Sequence, residues 1–260
     1  MSDQLAGRLR SGEAVFTAWS GIPSQYVAEA CARTDFDTVV LDMQHGAQTT
    51  ASVTDGIGAI RLAGKPAIVR IPVGRFDMAS RALDLGASAV IAPMINSVED
   101  ARAFAESMKY PPVGGRSWGP HRAIVLGGYE SNQAYLEAAN ADTLALAMIE
   151  TRPALEALDD ILRVDGIDGI FVGPSDFSIA WTGGETVNPV LEDMMDAVAD
   201  IADRATAAGK VSAIFLFDPN MVPKMAGFGY RLFAMATDGM YLAGGAGTLV
   251  ASARQALKQA

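Results

Sequence analysis

A chain of 260 residues, half of them hydrophobic, has ample material for a large core, and a parallel α/β barrel typically uses about 250 residues as one domain. The net charge of −10 argues against nucleic acid as a partner, because phosphate binding calls for a basic face, and no apolar run reaches the roughly 20 residues that span a bilayer. The single cysteine, Cys31, excludes an internal disulfide framework, and the polar start Met1-Ser2-Asp3-Gln4 lacks a basic-then-apolar signal, so a soluble cytoplasmic protein is expected.

Short β-rich runs recur at 15–20, 38–42, 67–71, 89–94, 144–149, 169–172, 211–217 and 232–236. Between them lie helical stretches such as 97–109, 152–164 and 191–208, whose apolar residues repeat at three- and four-residue spacing. Gly64-Lys65-Pro66, Gly86 and Gly209-Lys210 stop helices just before new strands. Eight strand–helix units with near-continuous apolar strands predict a closed (β/α)8 TIM barrel, with residues 1–260 as a single domain. An open doubly wound sheet would carry a glycine-rich fingerprint after its first strand, and none is present. The irregular region 110–129, with Pro111, Pro112 and Trp118, is too long for an ordinary connection and predicts a functional loop. A second insertion, 181–189, follows Asp176 and is expected on the same face.

Active sites of such barrels sit at the C-terminal strand ends. Here those ends carry Trp19, Asp42 with His45, Arg70, Pro93, Glu150, Asp176, Leu216 with Phe217, and Asp238. A carboxylate is costly to bury without a positive partner, so Glu150 and Asp176 on adjacent strands ask for a hard cation such as Mg²⁺ or Mn²⁺. Either one alone could equally cap a helix. His45 beside Asp42 reads as a general base, against the simpler reading of an exposed loop histidine. Arg70 is expected to project upward and stabilise an anion, with a structural salt bridge as the alternative. Trp19 and Leu216 are expected to form apolar walls, unless they belong to the barrel core. In the loop, His121 with Trp118 and Arg122 is placed to meet a polar or anionic partner, or is simply surface.

No lysine stands where imine chemistry would need it. Lys65 and Lys210 precede strands, and Lys109, Lys224 and Lys258 fall on or at the ends of helices. If the substrate is a carbonyl compound, a metal must polarise it instead.

Asp42-x-x-His45-Gly46, Arg70 with Pro72, Leu83-Asp84-x-Gly86-Ala87, Tyr110-Pro111-Pro112-x-Gly114-x-Arg116, Ile149-Glu150-Thr151 and the run from Gly166 to Asp176 resemble the HpcH/HpaI aldolase family. These are class II, metal-dependent pyruvate aldolases of the 4-hydroxy-2-oxoheptanedioate type, active in aromatic compound catabolism. The resemblance extends from about Gly12 to Asp238. It implies a barrel of the phosphoenolpyruvate/pyruvate superfamily, a homo-oligomer (a hexamer) with its last helix exchanged between subunits, and a bound Mg²⁺, Mn²⁺ or Co²⁺. Glu150 and Asp176 would ligate that ion. His45 would be the base, Asp84 would raise its basicity, and Arg70 would hold an enolate oxygen. The Ser175 backbone would bind the pyruvyl carboxylate, and Gly173, Pro174, Asp42, Trp19, Ser117, His121 and Leu216 complete the expected substrate-binding set. The implied small-molecule partners are a 2-oxo acid and an aldehyde.

This chain departs from the family pattern at four places. Gln44 replaces an acidic residue before the histidine, and Met148 replaces a glutamine two residues before the metal glutamate. Ser117-Trp118 replaces a glycine after Arg116, and Phe177 replaces a leucine. Specificity is the property these changes touch. Three other readings compete: an acyl-CoA lyase, which would need basic residues for the CoA phosphates; a phosphosugar enzyme using Gly244-Gly245-x-Gly247; and a non-catalytic barrel indifferent to divalent ions.

Overall fold

The computed structural model describes residues 4–259; the polar start Met1, Ser2 and Asp3, and Ala260, lie outside the described residues. Eight parallel strands close into a barrel in sequence order, with β1 hydrogen-bonded to both β2 and β8. They are β1 (Val15–Ser20), β2 (Thr38–Asp42), β3 (Ala67–Arg70), β4 (Ala89–Ala92), β5 (Leu144–Ile149), β6 (Gly169–Val172), β7 (Val211–Leu216) and β8 (Leu232–Met235). Helices alternate with them, giving the (β/α)8 TIM barrel. The third, fourth, seventh and eighth strands end one or two residues before the expected limits, where the loops of the open face begin.

Alternation along each strand divides the core in two. Val15, Val40, Ile68, Ile91, Leu146, Phe171, Ala213 and Ala234 point into the barrel. Their neighbours Ala18, Val39, Val69, Val90, Ala147, Ile170, Ile214 and Phe233 pack against the surrounding helices. That is why the strands read as unbroken apolar runs: both faces are covered. The helix Gln4–Arg10 inserts Leu5, Ala6 and Leu9 into the inner core and closes the N-terminal mouth, leaving only the opposite end open. Sequence reading missed this plug, because seven residues carry too little periodicity to declare a helix.

The expected helix 152–164 is broken at Ala157 into Arg152–Glu156 and Leu158–Leu162, and 191–208 starts with a short 3₁₀ turn before Met195–Ala207. Region 110–129 is not all loop: Pro120 leads into the helix His121–Gly127. Gly244, Gly245 and Gly247 lie within the final helix Asp238–Gln259 with open space around them, so they form no phosphate-cradling loop. Cys31 is a buried core residue, and burial pushes its thiol up to about 11, far from a reactive thiolate. Among the described residues, no helix is long and apolar enough to cross a membrane.

Candidate active site

Because inward residues alternate, the top of the barrel is set by register. Trp19, Asp42, Arg70, Met148 and Phe171 are the last inward residues of their strands, and Glu150 and Gly173 continue the same parity into the loops. All but Glu150, which is buried behind Gly173, line a cavity of about 440 Å³ whose lining also includes His45, Pro174, Ser175, Asp176, Phe215 and Asp238.

The carboxylates differ sharply in setting. Glu150 is 1% exposed; its Oε1 accepts from the backbone N–H of Met94 at 2.9 Å, and its Oε2 is buried with no hydrogen-bond partner. Met94 presents that N–H from φ 55°, a conformation non-glycine residues rarely adopt. Burial pushes the Glu150 carboxyl up to about 7, and the negative charge of Asp176 adds to the effect, against the Met94 N–H and Arg70. Asp176 is exposed, within the first turn of the helix Pro174–Trp181. A Cβ on Gly173 would stand 2.6 Å from Glu150 Oε2, so glycine is what lets the carboxylate lie against this loop. A buried carboxylate oxygen without a donor, beside a second carboxylate, fits a divalent cation. Among the described residues no group of three or more His, Cys, Asp or Glu could hold a metal, so water and substrate oxygens would complete the shell.

Asp42 organises the other side. Its Oδ1 and Oδ2 accept from Arg70 Nε at 2.8 Å and Nη2 at 2.7 Å, and Oδ2 also accepts from Trp19 Nε1 at 3.2 Å. The backbone N–H groups of Gln44 and Gly46 donate to the same carboxylate, each at 3.0 Å, pinning the loop that carries His45. Burial opposes ionisation of Asp42, but the Arg70 hydrogen bonds and charge prevail and hold it below the usual carboxylate range. Arg70 also lies over the Trp19 ring, 4.7 Å from its centroid. Its Nη1 makes no hydrogen bond among the described residues, leaving a donor for a substrate oxygen. The salt bridge and the anion-binding role of Arg70 are therefore compatible. Asp42 lines the cavity with its oxygens occupied by protein donors, and so positions Arg70 and the loop that carries His45.

Other expectations need correction. Leu216 points outward into the helix layer; the inward residue of β7 is Phe215, and Phe215 and Phe217 line the cavity instead. Asp84 does not meet His45 within the chain: its Oδ1 accepts from Arg116 Nη2 at 2.7 Å. Ser117 and His121 are exposed and outside the cavity, in a segment where Arg116 lies over Tyr110 and Tyr110 packs on Trp118. His45 stands exposed at the cavity rim. Trp19, Gly173, Pro174 and Ser175 all line the cavity.

No lysine lines it. Lys109 Nζ bonds to Thr143 O at 2.7 Å and Asp168 at 2.7 Å, Lys210 Nζ to Ile167 O at 2.6 Å, and Lys65 to Thr34 O and Phe36 O, all at the N-terminal end of the barrel.

The sequence profile of the HpcH/HpaI aldolase/citrate lyase family matches residues 16–244, which include every cavity residue named above. The chain belongs to this family. Within it, a hydroxypyruvate/pyruvate aldolase of Rhizorhabdus wittichii is 36% identical over 243 residues, covering 94% of this chain and 95% of that protein. A 4-hydroxy-2-oxovalerate aldolase of Novosphingobium aromaticivorans is 34% identical, covering 92% and 90% respectively. Among solved structures, a family protein from Burkholderia cenocepacia superposes with a TM-score of 0.84 at 27% identity over 99% of both chains. The relatives are named as aldolases, which are carbon–carbon lyases.

Sequence reading overlooked Met94 and Phe215. Nothing in the sequence announces a left-handed methionine. Phe215 was legible in principle, since counting alternate positions along β7 from Val211 selects it rather than Leu216.

Proposed function

We propose that the chain is a divalent-metal-dependent aldolase that cleaves or forms 4-hydroxy-2-oxo acids, with pyruvate and an aldehyde as its small-molecule partners. The observation that carries this reading is the buried, donorless Glu150 Oε2, set against Gly173 at the edge of a cavity that Asp176 lines and no lysine does. The names of the relatives, aldolases for hydroxypyruvate, pyruvate or 4-hydroxy-2-oxovalerate, support the substrate class.

Glu150 and Asp176 would hold Mg²⁺, Mn²⁺ or Co²⁺, and the ion when bound supplies Lewis-acid polarisation of the 2-oxo group. The substrate carboxylate suits the start of the helix Pro174–Trp181, where the Ser175 N–H has no backbone acceptor. His45, directly or through a water, accepts the C4 hydroxyl proton. The C3–C4 bond then breaks, an aldehyde leaves, and its electron pair remains as pyruvate enolate, whose oxygen accepts from Arg70. Protonation at C3 gives pyruvate, and synthesis runs the same steps in reverse.

The last helix supports the further proposal of a homo-oligomer, a hexamer, with this helix exchanged between subunits. Asp238 anchors its start by accepting from Ser20 Oγ and the Ile22 N–H, yet Leu242, Leu249, Val250 and Leu257 are exposed. The lone buried Cys31 suits a cytoplasmic setting.

Pyruvate release from a 4-hydroxy-2-oxo acid, followed with and without chelator, tests the reading. The expected result is release that chelation stops and a divalent ion restores. Turnover indifferent to chelation, or no turnover with any divalent ion, would overturn it.

A further inference from the structure

We infer that Met148 makes the floor of the cavity a selector for the 2-oxo acid itself, favouring a C3 carbon that carries hydrogen or an alkyl group over one that carries a hydroxyl. The inference rests on the aldolase reading above, in which the 2-oxo acid is engaged at Glu150. Met148 points inward from β5, two residues before Glu150, and is 2% exposed. A Cβ on Gly173 would lie 2.6 Å from Glu150 Oε2 and 3.0 Å from Met148 Cε, so the carboxylate and the thioether methyl flank one point of the floor. A 2-oxo acid held at Glu150 therefore brings its adjoining carbons against Met148.

Aromatic rings make up the floor beside Met148, next to the Asp42–Arg70 pair. Trp19 packs on Phe171 and Phe215, with centroid separations of 5.7 and 5.3 Å. Its indole N–H is already given to Asp42, as are Arg70 Nε and Nη2. A thioether is a weak acceptor and donates nothing. With Arg70 Nη1 given to the enolate oxygen, a C3 hydroxyl against Met148 would shed its water without gaining a partner, whereas hydrogen or methyl meets a polarizable sulfur and ring faces. Apolar pockets of this kind reject an added hydroxyl by up to about 10²-fold.

The test follows hydrogen–deuterium exchange at C3 by NMR for pyruvate, 2-oxobutanoate and hydroxypyruvate, each relative to its enzyme-free rate, with divalent ion supplied. A base at the site removes a C3 proton, the electron pair is held in the enolate, and C3 then takes a deuteron from solvent. Wild-type protein is expected to favour pyruvate and 2-oxobutanoate over hydroxypyruvate by about 10- to 100-fold in kcat/KM. Met148→Gln, of similar length with a hydrogen-bonding end, should narrow that ratio at least about fivefold, while Met148→Leu preserves it. Calorimetric binding of the three acids should follow the same order. Equal wild-type rates for pyruvate and hydroxypyruvate, or an unchanged ratio in folded Met148→Gln, would overturn the inference and leave the aldolase reading intact. The wild-type ratio alone decides the matter if Met148→Gln does not fold. No exchange with any of the three acids would remove both.

Discussion

Two buried groups of opposite sign, Arg70 lining the cavity and Glu150 just behind it, stand under different constraints. Arg70 is tied by two hydrogen bonds to Asp42 and laid over Trp19, so its position is fixed before any substrate arrives. Arg70→Ala would remove the anion-stabilising donor but also leave Asp42 buried without its cation, a loss of about 3–5 kcal/mol in comparable pairs. Arg70→Lys is the cleaner probe, since it keeps the charge and loses the fork. We expect kcat to fall about 10²-fold with divalent-ion binding retained; near-normal turnover would remove Arg70 from the mechanism. Glu150 gives a pH signature. Its carboxyl, held up at about 7 chiefly by burial, keeps a proton in the folded ion-free chain above the ordinary value of 4.5, where the unfolded chain has released one. The stability this contributes is full below the unfolded value and is lost as pH rises through the folded one, on the order of 3 kcal/mol. In chelator, Tm should fall between about pH 5 and pH 8, Glu150→Gln should flatten that fall, and a divalent ion should reverse it in wild type. A Tm that holds level over this range would contradict the assigned burial. The placement of Glu150, Asp176, His45 and Arg70 at the open end was legible in the sequence, because charged residues, rare overall, cluster at the ends of the apolar strands. The Arg116 partner of Asp84 was not, because no local pattern shows which of two distant loops meet.

Strands and loops place these groups through parity and close approach. A one-residue difference in inward count separates Leu216, in the helix layer, from Phe215 at the cavity, and a strand read as a continuous apolar run conceals that difference. The loops are packed just as tightly. At Gly46 a Cβ would come within 2.4 Å of Asp42 O and 2.7 Å of Gly21 Cα, so the first and second loops touch through bare backbone. Gly173 does the same for the sixth loop against Glu150, but there the obstructed atom is the end of a side chain, which can move. Gly173→Ala should therefore lower divalent-ion affinity at least about tenfold with only a small change in Tm, as the carboxylate is displaced rather than the fold. Unchanged ion affinity in a calorimetric titration would show that Glu150 tolerates the shift and would weaken its assignment as a ligand.

At the scale of the molecule, the barrel was readable almost to the residue, because eight two-sided apolar strands, three of them introduced by a legible helix stop, admit few other closed arrangements. The plugging helix Gln4–Arg10 and the break at Ala157 were not readable, since both are settled by tertiary packing rather than by local periodicity. The closed end holds the buried Lys109 and the exposed Arg10, both paired with Asp168, while the open end holds the unpartnered carboxylate oxygen. This polarity is the basis for a cation rather than an amine at the reactive face. It is tested most directly by titrating Mn²⁺ into wild-type, Glu150→Gln and Asp176→Asn proteins and counting bound ion by electron paramagnetic resonance. The account predicts one ion per chain in the wild type, a signal altered by pyruvate, and binding weakened at least about 10²-fold in either variant. Binding of equal strength in all three proteins would contradict it.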